Sequence, residues 1–330
     1  MLWIVPHLFP SRRLLEVAAQ GLRLPALETL LARGRLAEAP AEGYEAALCE
    51  AFGVARQQDW PVAPLTLAAT GEAPGDAWWL RADPVHLQVM RDRIVLAGVP
   101  GLSHEEAEAF AHAIAAHFGD DFAPRPVHAQ RWLLRCAEAP DLFTTPLSFA
   151  VGRDIDPLLP RGGDALRFRS RLNELQMLLH DHPINQAREA RGELPVNSLW
   201  LWGGGRLPER AARSRALHAS HEEARALGSA CGATLRPLPE RLSGAVMEAE
   251  NVTLLGGLAA SGQAGDAFGW REGLRQLERN WFEPLRGRLR QLGPRGLRVL
   301  DPDHGRCLHL HAGDAWRVWR RPRGLLDRLG

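Results

Sequence analysis

The sequence contains no lysine; all 40 of its basic residues are arginine. That absence excludes Schiff-base lysines, lysine general bases and the phosphate-gripping lysine of Walker-type loops. Any anion must be held by arginine, histidine, backbone N–H groups or a metal ion. Cysteine is also sparse: Cys49, Cys136, Cys231 and Cys307 are dispersed without a C-x-x-C pair. Neither a disulfide framework nor a zinc ribbon is indicated, and a reducing, cytoplasmic setting is expected. No apolar run approaches the ~20 residues of a membrane span. The stretch Met1-Leu-Trp-Ile-Val5 is apolar and turns basic only at Arg12 and Arg13, the reverse of a secretory signal, and reads as a buried strand. A formal net charge of +1 supplies no global field for nucleic acid or membrane.

What is present suits a globular protein with an ample core: 330 residues, 45% hydrophobic and 24% charged, which implies one large domain or two coupled ones. After the first strand, Leu14, Val17, Ala18, Leu27, Leu30 and Leu31 recur at helical spacing up to Gly34. Proline and glycine thicken between Trp60 and Gly75, and strands are expected at Ala77–Leu80 and Arg93–Ala97. Ser103 with Glu106 forms a capping box that opens a helix over His104–Phe118. Asp164 is expected to cap a helix running to about Leu179, closed by His180-Asp-His-Pro183. Further on, the patterning predicts a strand at Val196–Trp202, a turn at Gly203-Gly-Gly205 and a charged helix over Pro208–Leu227. A strand at Asn251–Leu255 and a helix Trp270–Leu292 interrupted at Pro284 follow. Three strands, Leu297–Leu300, Cys307–His311 and Ala315–Trp319, complete the chain.

Several polar groupings are candidate sites, each with a plainer structural alternative. Asp83, His86, Arg91 and Asp92 combine a guanidinium with carboxylates and an imidazole, which suits a phosphate or carboxylate ligand; the alternative is an Asp–Arg pair fixing a turn. Asp301, Asp303, His304, His309 and His311 lie within eleven residues, and His309-x-His311 on a strand would present both imidazoles on one face. This spacing suits one divalent metal ion, manganese or zinc, or a purely hydrogen-bonding role. Arg317, Arg320, Arg321 and Arg323, interleaved with Trp316 and Trp319, are a thin case for nucleic acid and a better one for an arginine-edged terminal strand. Trp200 and Trp202 share a strand face, as cleft lining or as core.

The motifs Arg81-Ala-Asp-Pro-Val-His-Leu87, Arg91-Asp92, His182-Pro-Ile-Asn185, Arg188, Gly192, Pro195-Val-Asn197 and Leu199-Trp-Leu-Trp-Gly203 resemble a bacterial family of RpfE-type regulatory proteins. These in turn look like distant relatives of the archaeal-type, cofactor-independent phosphoglycerate mutases of the alkaline phosphatase superfamily. Leu24-Pro-Ala-Leu-Glu-Thr-Leu-Leu-Ala-Arg-Gly34 is similar to the mutase segment Thr-Pro-Asn-Leu-Asp-x-Leu-Ala-x-x-Gly. The resemblance implies an α/β fold: an alkaline-phosphatase-like doubly wound sheet core from residues 1–60 and 190–330, with an inserted smaller α+β domain over 61–189. His182, Asn185, Arg188 and Asn197, with His180, fall where the insertion would return to the core, and are expected to line a substrate cleft with the Asp83 group. The plainer reading is helix termination at Pro183.

Such mutases hold two divalent metals and a serine or threonine that is transiently phosphorylated. Here Leu24 stands at the nucleophile's place, and leucine cannot attack phosphorus. The Asp-Gly turn that delivers a ligand after the first strand is replaced by Pro6-His7. Where the relatives read Asp-x-x-Gly-His, this chain reads Ser261-Gly-Gln-Ala-Gly-Asp266, leaving Asp266 alone. Asp301-Pro-Asp-His304 and His311 with Asp314 resemble the later ligand pairs, so Asp303, His304, His311 and Asp266 are the metal candidates. The resemblance therefore implies a degenerate, non-catalytic protein that binds a small anionic metabolite or a protein partner. The alternative is a surviving metal-dependent mutase or phosphate-ester hydrolase.

Overall fold

The structure is a computed structural model that describes residues 1–209 and 215–329. Its strands, in chain order, are β1 (Leu2–Ile4), β2 (Arg35–Glu38), β3 (Trp78–Val89), β4 (Ile94–Gly98), β5 (Arg125–His128), β6 (Arg131–Cys136), β7 (Ser198–Gly205), β8 (Ala216–His218), β9 (Thr234–Arg236), β10 (Val252–Leu254), β11 (Leu297–Asp301) and β12 (Arg306–Leu310). They fall into two compact units, Met1–Gly53 with Ala212–Gly330, and Val54–Ala211.

In the first unit a sheet runs in the order β2-β12-β11-β1-β10-β8-β9. From β11 through β9 neighbouring strands are parallel; β12 is antiparallel to both β11 and β2. The central strand β1 is apolar throughout because a parallel strand in such a sheet is buried on both faces. Trp3 and Val5 point to one side, where Leu27, Leu30, Trp270, Leu274, Phe282, Val299 and Leu308 complete the core. On the other, helix Gly43–Phe52 packs against β1 and against helix Glu222–Ala230. The α/β, doubly wound class is thus the observed one.

The second unit is an α+β body built on an antiparallel sheet in which the long strand β3 pairs with β4, β6 and β7. Helices His104–Phe118 and Ala165–His180 supply Phe110, Ile114, Phe168, Leu175 and Leu179 to a core with Leu80, Trp132 and Leu199. The capping box forms as expected: Ser103 Oγ accepts from Glu106 N, and Glu106 Oε2 accepts from Ser103 N.

Several expectations are corrected. Strand β7 belongs to this second sheet, paired with β3, not to the main sheet, so the strand reading at residues 196–202 holds but its placement in a 190–330 core does not. Gly203-Gly-Gly205 continues β7 instead of turning, because the glycines let it lie against Val62, Leu80 and Pro61, where a Cβ would meet those side chains. The helix expected over 208–227 is replaced by β8 and the helix Glu222–Ala230; its part at 210–214 lies outside the described residues. Asp164 precedes helix Ala165–His180 but does not cap it; its carboxylate accepts instead from Asp141 N. Ala315–Trp319 is not a strand: a 3-10 turn, Ala312–Trp316, occupies its start.

The break expected at Pro284 is a π-helical turn, Glu278–Phe282, between helices Ala267–Leu277 and Glu283–Arg288. Pro284 has no N–H to offer the carbonyl four residues back, that of Asn280. Leu242 N donates to that carbonyl at 2.9 Å, so the interruption leaves no buried acceptor unmet there.

Candidate functional site

At the C-terminal ends of parallel strands, where ligands of open α/β sheets bind, β1 and β11 bring together His7, Asp301, Asp303 and His304. Asp301 is fully buried and organises the loop after β11. Its Oδ1 accepts from Asp303 N (3.0 Å) and His304 N (3.2 Å), and its Oδ2 from Phe9 N (2.7 Å). The same Oδ2 lies 3.3 Å from His304 Nδ1. An aspartate accepting from N–H groups two and three residues on is a local turn device; here it also ties that turn to the chain leaving β1.

His7 completes the cluster. Its φ of 58° is left-handed, a region that costs a non-glycine residue roughly 1–2 kcal/mol. Val5-Pro6-His7-Leu8 forms a turn closed by Leu8 N to Val5 O at 3.2 Å, with proline second and a positive φ third, the pattern of a type II turn. The conformation is held from outside: His7 O accepts from Trp270 Nε1 (2.8 Å), and a Cβ on Gly262 would collide with the His7 ring. The two imidazoles meet edge to face with centroids 5.2 Å apart, and His7 Nε2 lies 4.0 Å from Asp303 Oδ2.

The expected metal set does not assemble. The β11–β12 hairpin pairs Asp301 with Arg306 and Leu297 with Leu310, so His311 lies beyond the opposite end of the hairpin from Asp303 and His304. At about 3.4 Å per residue this separates them by roughly 15 Å or more. Asp266 caps helix Ala267–Leu277, its Oδ1 accepting from Phe268 N and Gly269 N. Among the described residues no group of three or more His, Cys, Asp or Glu side chains is placed to hold a metal ion, so the donor set does not fit the two-metal centre that the resemblance implies. His309 and His311 do come together, at a different cavity considered below.

The position that the resemblance gives to the nucleophile holds a buried apolar side chain. Leu24 is fully buried in the core and precedes helix Pro25–Arg33. The first N–H groups of that helix, which form an anion-binding position by virtue of the helix dipole, are taken internally. Ala26 N and Leu27 N donate to Glu278 Oε1 and Oε2 at 2.6 and 3.0 Å. Burial pushes the Glu278 carboxyl above its ordinary value, against the opposing pull of these N–H groups and of Arg286. No sequence signal marks Glu278, which reaches this helix from the π-helical turn 252 residues later in the chain.

Most of the residues expected to bind substrate make hydrogen bonds within the second unit. Asp83 is buried against Arg81 (2.9 Å) and accepts from Trp132 N and Trp202 Nε1. The Asp–Arg pair is therefore real, but its arginine is Arg81; Arg91 and Asp92 are exposed at the tip between β3 and β4. His86 Nδ1 is 3.0 Å from Pro195 O, and Asn197 exchanges two hydrogen bonds with the Leu87 backbone. Asn185 binds Leu179 O and both backbone groups of Val196. Arg188 donates to Leu194 O and Glu106, and the His182 ring, its pKa lowered by burial, accepts from Ile184 N and stacks on Phe110. Together they clamp the segment 194–197 against β3 and helix His104–Phe118. Trp200 and Trp202 are buried, each with its indole N–H bonded.

No protein-family model matches the chain. In sequence it is 29% identical over 209 residues to a probable 2,3-bisphosphoglycerate-independent phosphoglycerate mutase of Geobacter sulfurreducens, covering 58% of this chain and 51% of that protein. It is 27% identical over 210 residues to the 2,3-bisphosphoglycerate-independent phosphoglycerate mutase of Methanosarcina acetivorans (60% and 51% covered), and 38% identical over 68 residues to that of Methanothrix thermoacetophila (21% and 17%). The matches span about half the length of the first two relatives and less of the third. Among solved structures, a cofactor-independent phosphoglycerate mutase from Thermoplasma acidophilum superposes with a TM-score of 0.45 at 17% identity, covering 100% of this chain and 94% of that one. The PH0037 protein from Pyrococcus horikoshii gives 0.46 at 13%, covering 99% and 97%. The sequence likenesses support homology to these mutases.

Proposed function

We propose that this chain is a degenerate, non-catalytic relative of the phosphoglycerate mutases, working in the cytoplasm as a regulatory or binding protein for a small anionic metabolite or a protein partner. One observation carries the reading. At the start of helix Pro25–Arg33, where the resemblance sets the phosphorylated hydroxyl, stands the buried Leu24, and the adjacent N–H groups already hold the carboxylate of Glu278. A phosphoryl group would find neither an attacking oxygen nor an open anion position. The cluster of His7, Asp301, Asp303 and His304 can exchange protons but offers no hydroxyl or thiol to carry a phosphoryl group.

The test is incubation of the purified protein with 3-phosphoglycerate, with and without manganese, followed by intact-mass measurement, assay of 2-phosphoglycerate and elemental analysis. The expected result is no covalent adduct, no conversion and no stoichiometric metal. A phosphoryl adduct, or conversion that depends on manganese, overturns the reading.

A further inference from the structure

We propose that a cavity at the β2–β12 edge of the main sheet, lined by Arg35, His309, His311, Arg317, Arg320 and Arg328, binds a small, multiply charged anion of the phosphate class. The cavity measures about 760 Å³, within the range of small-molecule sites. Its one acidic lining residue, Asp314, is buried and committed: it pairs with Arg317 at 2.7 Å and accepts from His311 N at 2.8 Å. Four guanidinium groups therefore face the cavity with a single carboxylate among them.

Two features distinguish this cluster from a solvated basic surface. Three of the arginines are pinned to the C-terminal carbonyls of helix Pro25–Arg33 and the glycine that follows. Arg328 Nη2 donates to Leu31 O (2.9 Å), Arg317 Nη1 to Arg33 O (3.0 Å), and Arg320 Nη1 lies 3.5 Å from both Ala32 O and Gly34 O. Capping alone would explain these three, since cations favour the negative end of a helix. A guanidinium carries five donors in a rigid plane, however, and one or two bonds to a carbonyl fix that plane while leaving donors for an anion.

Capping does not explain Arg35 or His309. In the sheet register His309 of β12 lies directly between Arg35 of β2 and Arg298 of β11. Like charges opposite one another across strands repel. The groups facing His309 are Arg298, Arg35 and His311, and these, after burial, hold its pKa below the ordinary value. Two guanidinium groups flanking an imidazole across three strands concentrate positive charge there, which a bound anion relieves. Paired guanidinium forks match phosphate oxygens in geometry, and the charge of the lining calls for a ligand carrying several negative charges.

The proposal rests on the preceding one only in giving the site a physiological role; the cavity stands or falls separately, because phosphoryl-transfer assays do not read it. The experiment is calorimetric titration of the full chain with inorganic pyrophosphate at low salt, with the imidazole resonances of His309 followed by NMR. Expected are saturable binding of one pyrophosphate per chain, an upward shift of the His309 titration, and a loss of affinity of about tenfold in each of Arg35→Gln and Arg320→Gln, the cost of one charge-assisted contact. Both residues are exposed, and Arg35→Gln touches no helix cap, so it separates binding from folding. Absence of saturation at millimolar pyrophosphate, unchanged affinity in Arg35→Gln, or a His309 titration indifferent to pyrophosphate each overturns the assignment.

Discussion

At the scale of single residues, His7 is the strained backbone position of the candidate site. A histidine in a left-handed turn costs energy that glycine would not, and here Trp270 and Gly262 hold it there. Gly262→Ala is expected to push the ring off Asp303 and His304 and to destabilise the protein by about 1–3 kcal/mol, the usual penalty of overpacking. Urea unfolding measures it; a change within the noise would mean that the ring moves aside freely. His7→Asn, which tolerates the same backbone region, is expected to fold normally.

Glu106 is a second residue whose environment makes a prediction. Burial alone would raise its pKa, but the Ser103 N–H, Arg188 and Arg191 together outweigh burial and bring it below the ordinary 4.5. A carboxyl with a lowered folded pKa contributes stability that is fully present above its unfolded value and is lost as pH falls through the folded one. Unfolding free energy should therefore drop more steeply between about pH 5 and about pH 3 in the wild type than in Glu106→Gln. Parallel pH profiles would show that the pairing adds nothing. Arg188 is nearly fully buried, and Arg188→Ala leaves Leu194 O without its side-chain donor and takes one of three donors from Glu106, for an expected loss of about 1–3 kcal/mol.

At the scale of elements, local signals with a defined geometry were readable in advance. The capping box, the short first strand, the separate strands β11 and β12 and the break at Pro284 all follow from residues a few positions apart. What was not legible depended on distant partners. Gly203-Gly-Gly205 looks like a turn until Pro61 and Val62 are seen to press against it. His304 and His311, seven positions apart, look like one ligand set with Asp303 until the hairpin sends them to opposite ends. The clamp residues Asn185, Arg188 and Asn197 look like a binding site because a polar side chain bonding to a nearby backbone group and one awaiting a ligand read alike in sequence. Glu278 had no local mark at all. Gly205→Ala tests the close approach of β7: its Cβ would lie 2.6 Å from Pro61 Cβ, and a rigid ring cannot yield, so a loss of about 1–3 kcal/mol is expected by thermal or urea unfolding.

At the scale of the whole molecule, the two units carry separate hydrophobic cores. Chains of this kind depart from two-state unfolding. Calorimetry is expected to resolve two components, with Arg188→Ala lowering only the one that belongs to residues 54–211. A single transition shifted as a whole by that substitution would mean that the cores melt together.

The placement of β1 has a consequence for how the molecule is made. This strand leaves the ribosome well before its neighbours in the sheet, residues 252–254 and 298–300. At about 5–20 residues per second, the most apolar segment of the sheet spends on the order of tens of seconds without a partner while everything between is synthesised. Nascent chains stalled before residue 250 should accordingly be held by chaperones, whereas those carried past residue 301 should be released.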